Sequence, residues 1–427
     1  MQTRNRRAAD WPRNVGLSLA VTSLLLLTIE LVGRILIVPS DNSYGVIFGI
    51  ELPPYRLRSP FAPPTMTDRS SWYQELVVDE RKITVGDLWG IARRDLDLGY
   101  APQEDALSVN GWWQTNSLGA RAPAEVTREV AAGQTRIVVF GDSFAVGSRL
   151  PHEETWSVQL DLQNDGLEVV NFGMDGYGIA QSFLRYQLVR DKLEHDIVFL
   201  MFVPQADLWR DINTRRDLGE NWPVYWVMPR FVISDGGLLL VPDPFGRMSA
   251  RASGQMSDWD PLLRSHLRAY DRFYFSSRYE QPQIVGDFLL YKLAASAYSG
   301  YLERRLMGSL SDLDSEAMSV THRIVLAMRL EISARGKRFI LAFLPTERSL
   351  LSGQPRKRHW QRWEEMVTEF CEPDMICIDL AEGMRRASKD EIDKGYDGTH
   401  FGPRANRLIA KLIGKKLSTM ERQVQRR

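Results

Sequence analysis

From Arg136 onward the sequence predicts an α/β fold, a parallel five-stranded sheet with crossover helices on its faces. Three observations predict it. Short apolar runs with the composition of strands buried on both faces, Ile137-Val138-Val139-Phe140 first among them, alternate with helical stretches. Turn and cap residues punctuate the alternation, as where Gly336 ends a long helical pattern. The alternation then breaks between about 205 and 314, a stretch too long for a connecting loop, which must hold structure of its own.

The elements follow in order. Strands are expected at Ile137–Phe140, Leu167–Phe172, Ile197–Val203, Arg338–Leu344 and Met375–Leu380. Helices are expected near Glu154–Gln163, Ile179–Leu193, Ser315–Ala334, Arg358–Phe370 and Pro403–Leu417. Inside the insertion, Pro229–Val241 reads as a hairpin turning at Asp235-Gly236, and Ile284–Leu306 as helix. An insertion after the third strand lies at the strand ends where ligands bind, so it fits a lid or a partner-docking surface.

The chain has 427 residues, enough for about two or three domains. Its 54 basic and 54 acidic residues balance, whereas a nucleic-acid footprint needs a clustered basic excess; nucleic acid is not an expected partner. Two cysteines, Cys371 and Cys377, are too few for a disulfide framework or a four-ligand zinc site. A turn at Glu372-Pro373-Asp374 would let them pair, and two buried free thiols fit equally well. No His-Glu-x-x-His occurs and the acidic clusters lack ligand spacing, so no metal or other cofactor is expected.

Residues 1–14 carry Arg4, Arg6, Arg7 and Arg13 against Asp10, and Val15–Val38 is an apolar stretch interrupted only by Glu30 and Arg34. As a helix, its 24 residues would reach ~36 Å, enough to cross a hydrocarbon core of ~30 Å. Glu30 and Arg34, one turn apart in its last third, can pair and approach the far interface. The arginines place the N-terminus in the cytoplasm. Val15–Ile29 also fits a signal-peptide core, but no small-x-small cleavage site follows, which favours a retained anchor. Either way the rest of the chain is exported, in a bacterium to the periplasm. Residues 39–134 read as a stalk and irregular lead-in, with Trp112, Trp113 and Asn116–Arg121 as packing residues, and 135–420 as the main domain. The tail from Glu421 to Arg427 reads as a solvated end.

The first predicted strand ends in Gly141-Asp142-Ser143 and turns directly into a helix. A serine there sits at the carboxyl edge of the sheet and feels free helix N–H groups. The same residues also fit an ordinary capped turn. A serine nucleophile needs a base and a group that orients the base. Among six histidines, His152 and His195 read as cap or turn residues, and His266, His322 and His359 lie in predicted helices. His400 instead follows Asp397 in the loop Tyr396-Asp397-Gly398-Thr399-His400-Phe401-Gly402-Pro403. Three residues apart in a loop, the carboxylate can turn back onto the imidazole and fix its tautomer; an Asx-turn with a surface histidine fits the same residues.

Gly-Asp-Ser after the first strand, Asn171-Phe172-Gly173-Met174-Asp175-Gly176-Tyr177-Gly178 after the second, and Asp-x-x-His before the last helix together resemble the SGNH/GDSL hydrolase family. The resemblance runs from about Arg136 to Ala410, broken by the insertion. It implies a flavodoxin-like three-layer α/β sandwich, with Ser143 as nucleophile, His400 as base and Asp397 as its orienter. It is not a Gly-x-Ser-x-Gly elbow, because position 145 is Ala. The family's oxyanion hole implies donors at the Ser143 N–H, the Gly176 N–H and an asparagine side chain. Here Val203-Pro204-Gln205-Ala206-Asp207 departs from the family's Asn-Asp: one alignment offers the Gln205 amide, the other only Ala206.

The expected function is that of a membrane-anchored periplasmic serine ester hydrolase or O-acyltransferase. It would act on small acyl esters, such as O-acetyl groups of envelope carbohydrate, through an acyl-serine. The alternative is an anchored scaffold or accessory subunit of a membrane complex with weak or no catalysis. The departure at Gln205-Ala206, the apolar N-terminal helix and the large insertion motivate it.

Overall fold

The structure is a computed structural model that describes residues 6–61, 76–78, 81–83, 91–108, 111–219, 226–246, 259–351, 356–396 and 398–425. They fall into two compact units, Met1–Arg58 with Phe273–Leu306, and Ser59–Arg272 with Met307–Arg427.

The larger unit is built on five parallel strands: β1 (Thr135–Phe140), β2 (Leu167–Asn171), β3 (Ile197–Phe202), β4 (Arg338–Phe343) and β5 (Ile376–Asp379). Their spatial order is β5-β4-β3-β1-β2, which counted from the other edge is the flavodoxin-like 2-1-3-4-5. β1 and β3 are neighbours, with Phe140 opposite Leu200, so the order reverses beside β1 and the crevice opens at its carboxyl end.

Period-two alternation along the strands supplies two apolar faces. Ile137, Val139, Phe199, Met201, Ile340 and Ala342 pack with α2 (Trp156–Gln163) and α7 (Pro403–Gln425) through Trp156, Leu160, Ile409 and Ile413. On the other face Phe140 meets Tyr186 of α3 (Ile179–Val189) edge-on. Phe202 packs on Phe370 at the end of α6 (Arg356–Phe370), whose ring also touches His322 of α5 (Glu316–Ala334). The result is a three-layer α/β sandwich. Shorter pieces in the unit include α1 (Ser143–Val146) after β1, α4 (Pro204–Asp211) after β3, and the expected hairpin Arg230–Ser234 with Gly237–Val241. α7 runs on to Gln425 instead of stopping near Leu417, because the stripe Ile409, Ile413, Leu417 continues to Met420; the segment from Glu421 is therefore helical to Gln425.

The smaller unit holds the helix Arg6–Ile35, the antiparallel hairpin Gly45–Ile47 with Ile50–Leu52, and the helix Leu289–Ser309 as far as Leu306. Its core is Ile47, Leu52 and Leu289, flanked by Ile37 and Leu293. Lys292 Nζ lies 3.9 Å from the centre of the Tyr44 ring and donates to the Pro53 carbonyl and Gln281 Oε1. The second helix begins at Leu289 instead of Ile284, because the Glu30 carboxylate accepts the Leu289 N–H and sets the helix start there.

Cys371 and Cys377 form a disulfide between the end of α6 and β5, one of the two arrangements open to the sequence. Closing so short a loop stabilises by about 2 kcal/mol in the chain-entropy view. Replacing both cysteines by serine should lower the unfolding free energy in urea by about 2 kcal/mol, and the unreduced, denatured native chain should titrate no free thiol.

Candidate active site

Ser143 is the first residue of α1, where the chain leaves β1. Gly141 has φ +146°, and a Cβ there would collide with Ala145 and the Met201 carbonyl, so only glycine allows so sharp a turn. Asp142 then caps α1, its Oδ1 accepting the N–H groups of Phe144 at 2.9 Å and Ala145 at 3.4 Å. Gly147, left-handed at φ 70°, ends the helix after one turn.

The carbonyls at that end are claimed by buried side chains. Trp156 Nε1 donates to the Ala145 carbonyl at 2.8 Å, and Asn171 Nδ2 to the same oxygen at 2.9 Å. Arg121 Nη1 donates to Val146 and Gly147, and its Nη2 to Trp112 and Leu150. Its guanidinium stacks 4.9 Å from the Trp113 ring centre, and burial pushes its pKa down to about 10, so it remains a cation at neutral pH. The sequence reading of Trp113 and Arg121 as packing residues meets here a specific role, holding the turn that carries Ser143.

Asp142 Oδ2 accepts from Arg210 Nη1 at 3.1 Å, and the same nitrogen reaches the Tyr177 carbonyl at 3.2 Å and lies 3.5 Å from Asp207 Oδ1. Asp207 Oδ2 in turn accepts the Val203 N–H at 2.7 Å, at the end of β3. Burial raises the pKa of both carboxyls. Asp207 rises furthest, because the Asp142 charge adds to its desolvation. One arginine thus joins the three loops that follow β1, β2 and β3.

His400 comes from the loop before α7. Asp393 accepts the N–H groups of Arg404 and Ala405 and so caps α7, while Gly395 donates its N–H to the His400 carbonyl at 2.6 Å. Asn406 ties the loop to the start of α2: its Nδ2 donates to Phe401 and Gly402, and its Oδ1 accepts the Trp156 N–H. The imidazole packs on the Phe144 ring at 4.8 Å between centroids. In this position His400 Nε2 lies 2.8 Å from Ser143 Oγ, and Nδ1 lies 3.2 Å from Thr399 Oγ1. With the serine hydroxyl donating to Nε2, the neutral ring carries its proton on Nδ1. Asp397 lies outside the described residues.

The remaining candidates take these positions. Gly176 is buried in the turn after β2 at φ +71°, and its carbonyl accepts from Arg216 Nε at 2.9 Å. That turn is held by Asp175, which accepts from the Ser148 hydroxyl and pairs with Arg149 at 3.2 Å. Gln205 is exposed on the first turn of α4, and its side chain makes no hydrogen bond among the described residues; Ala206 beside it is half-buried. A recess of about 10 Å³ between Ser143, Gly147, Ser148, Phe401 and Ile409 has room for roughly one water. Among the described residues no cluster of three or more His, Cys, Asp or Glu side chains is arranged to hold a metal.

Sequence reasoning did not single out Arg121, Arg210, Asp393 or Asn406. Arg210, three residues after Asp207 on one helix, carried a local signal. Arg121 carried none, since three of its four partner carbonyls lie 25 to 29 residues away in chain order.

No family model matches the chain, and no curated protein matches it. Solved structures do. A protein assigned to the G-D-S-L lipolytic family from Desulfitobacterium hafniense is similar over 66% of this chain and 99% of its own, at 11% identity and a TM-score of 0.32. A member of the lipolytic protein G-D-S-L family from Veillonella parvula covers 65% of this chain and 95% of its own, at 13% identity and a TM-score of 0.31. A salicylyl-acyltransferase from a tetracycline biosynthetic pathway covers 69% and 57%, at 11% identity and a TM-score of 0.27.

Two outcomes follow from the geometry. Arg121→Ala leaves three buried carbonyls and one half-buried carbonyl without this donor and should cost at least about 3 kcal/mol in urea unfolding. The second concerns Asp211, which accepts the Ala180 N–H and the Thr321 hydroxyl at the start of α3 and is pushed up to about 6 by burial. Its folded pKa exceeds its unfolded one, so its contribution is complete below about pH 4 and is lost as pH rises through about 6. Asp211→Asn has no such titration. It should gain stability relative to the native chain between pH 4 and 7, by on the order of 3 kcal/mol, measured by denaturant titration at each pH.

Proposed function

We propose that this chain is a serine ester hydrolase or O-acyltransferase, anchored in a bacterial inner membrane by its N-terminal helix with the main unit on the periplasmic side. The observation that carries the reading is the 2.8 Å contact between Ser143 Oγ and His400 Nε2, made at the carboxyl edge of the sheet between residues 257 apart in sequence. In this reading Ser143 Oγ attacks the ester carbonyl while His400 Nε2 takes its proton. The tetrahedral oxyanion is held by the N–H groups of Ser143 and Gly176 and by the Gln205 amide. Collapse expels the alcohol, which leaves with the proton from His400, and the acyl group stays on Ser143 as an ester. Water or a second hydroxyl then gives its proton to His400 and takes the acyl group, restoring the serine. Asp397 is assigned the role of holding the imidazole with its proton on Nδ1.

Export to the envelope favours small acyl esters such as O-acetylated carbohydrate as the substrate. The departure at Gln205 favours a second reading, an anchored scaffold with weak catalysis, and the same experiment separates them. The native chain should take a fluorophosphonate label and hydrolyse an activated acetyl ester, and Ser143→Ala should do neither. Gln205→Ala should retain labelling but lose a factor of roughly 100 to 1000 in kcat, about 3 to 4 kcal/mol of oxyanion stabilisation. Equal, negligible rates in the native chain and Ser143→Ala, with no label on either, would leave the scaffold reading standing.

A further inference from the structure

The N-terminal helix carries two charged residues in its apolar stretch, and the structure gives both a task that the sequence pattern did not show. Arg34 Nε donates to Glu30 Oε1 at 2.8 Å, and its Nη2 donates to the Asp287 carbonyl at 2.8 Å. The Glu30 carboxylate accepts the Leu289 N–H. Gly33 is buried under the Leu289 side chain, with which a Cβ at 33 would collide. Residues 287–289 are therefore fastened to the helix at the level of residues 30–34.

That level sets a depth. Val15–Ile35 is 21 residues with a mean hydropathy of 2.1, exposed along its length except at Gly33 and, in part, at Glu30. It is ~31 Å long as a helix, matching a ~30 Å hydrocarbon core. Glu30 lies five residues before its end, which places it ~7 Å inside the core boundary. The segment held there is Ile284-Val285-Gly286-Asp287-Phe288, with Ile284 85% and Phe288 52% exposed. In the same unit, the hairpin tip presents Phe48, 84% exposed at φ 50°, a left-handed conformation that β-turns normally give to Gly or Asn. Ile35 itself is 83% exposed.

Resting on the anchor reading of Arg6–Ile35, we propose that 284–288 is a second membrane contact, a loop seated in the interfacial layer of the bilayer beside the end of the N-terminal helix. Its occupant is lipid: apolar side chains reaching ~5–10 Å past the headgroups are what such a layer accepts. The pair Glu30–Arg34 supplies what lipid cannot, a partner for the Leu289 N–H and for the Asp287 carbonyl. The remaining turns close on themselves, with the Gly286 N–H on the Pro282 carbonyl and the Phe288 N–H on the Val285 carbonyl.

The test uses the full chain in phosphatidylcholine–phosphatidylglycerol vesicles. Single-cysteine variants Leu24→Cys, Ile284→Cys and Phe288→Cys are labelled with an environment-sensitive fluorophore, the native disulfide taking no label. Lipids bearing a quencher near the headgroup should quench positions 284 and 288 about twofold, and quenchers near the bilayer centre should quench position 24, each relative to vesicles without quencher. Adding Gly33→Leu should abolish the quenching at 288 and leave that at 24. Quenching at 24 with none at 284 and 288 overturns the interfacial loop and leaves the anchor intact. A blue-shifted but unquenched label at 288 means protein, not lipid, covers the loop and also overturns the proposal. No quenching at 24 removes the anchor reading, and the proposal with it.

Discussion

The buried pair of Asp142 and Arg210 is the interaction on which the site geometry depends. Asp142 uses one oxygen to cap the single helical turn that starts at Ser143 and the other to hold Arg210, which in turn holds the Tyr177 carbonyl and approaches Asp207. A buried charge pair is a poor source of net stability, because desolvation offsets most of the attraction; breaking one half, however, strands the other at about 3 to 5 kcal/mol. What the pair contributes is position. It fixes three strand-end loops against one another at the crevice of a 2-1-3-4-5 sheet, and the strained turn at Gly141 is held by that fixed surround.

The other end of the same turn is secured by different means. Arg121, Asn171 and Trp156 bring N–H donors to the carbonyls of Ala145, Val146 and Gly147, which are buried and have no helical partner. A one-turn helix has almost no stability of its own, so its direction is imposed by these neighbours. Asn406 performs the equivalent task for the histidine loop, and through the Trp156 N–H it links that loop to the layer that supports Ser143. The 2.8 Å contact between Ser143 and His400 is the outcome of two separately braced loops.

In the smaller unit, a charge pair again decides the arrangement. Glu30 and Arg34 satisfy each other and two backbone groups of the 287–289 segment. An apolar helix with an unpaired carboxylate in its last third would be costly in lipid, whereas one whose carboxylate starts a second helix has its charge and that helix's first N–H answered together.

Much of the architecture was legible along the chain because it rests on local pattern. Five apolar runs and the hairpin at Asp235-Gly236 recur within a residue or two of their expected places, and the long helices recur with several of their ends shifted, since period and turn chemistry act over short distances. The sequence also brought forward Ser143 and His400 as a pair through motif order, and the fold sets them in contact. The start of the second helix at Leu289 was not legible, because its cap comes from Glu30 on another helix. Arg121 looked like packing and is a fourfold donor to carbonyls that only the folded chain gathers. Short-range pattern is written in neighbouring residues and can be read there. The partners of a buried charge are chosen by three-dimensional proximity, since a desolvated group must be answered by whatever the fold brings within about 3 Å.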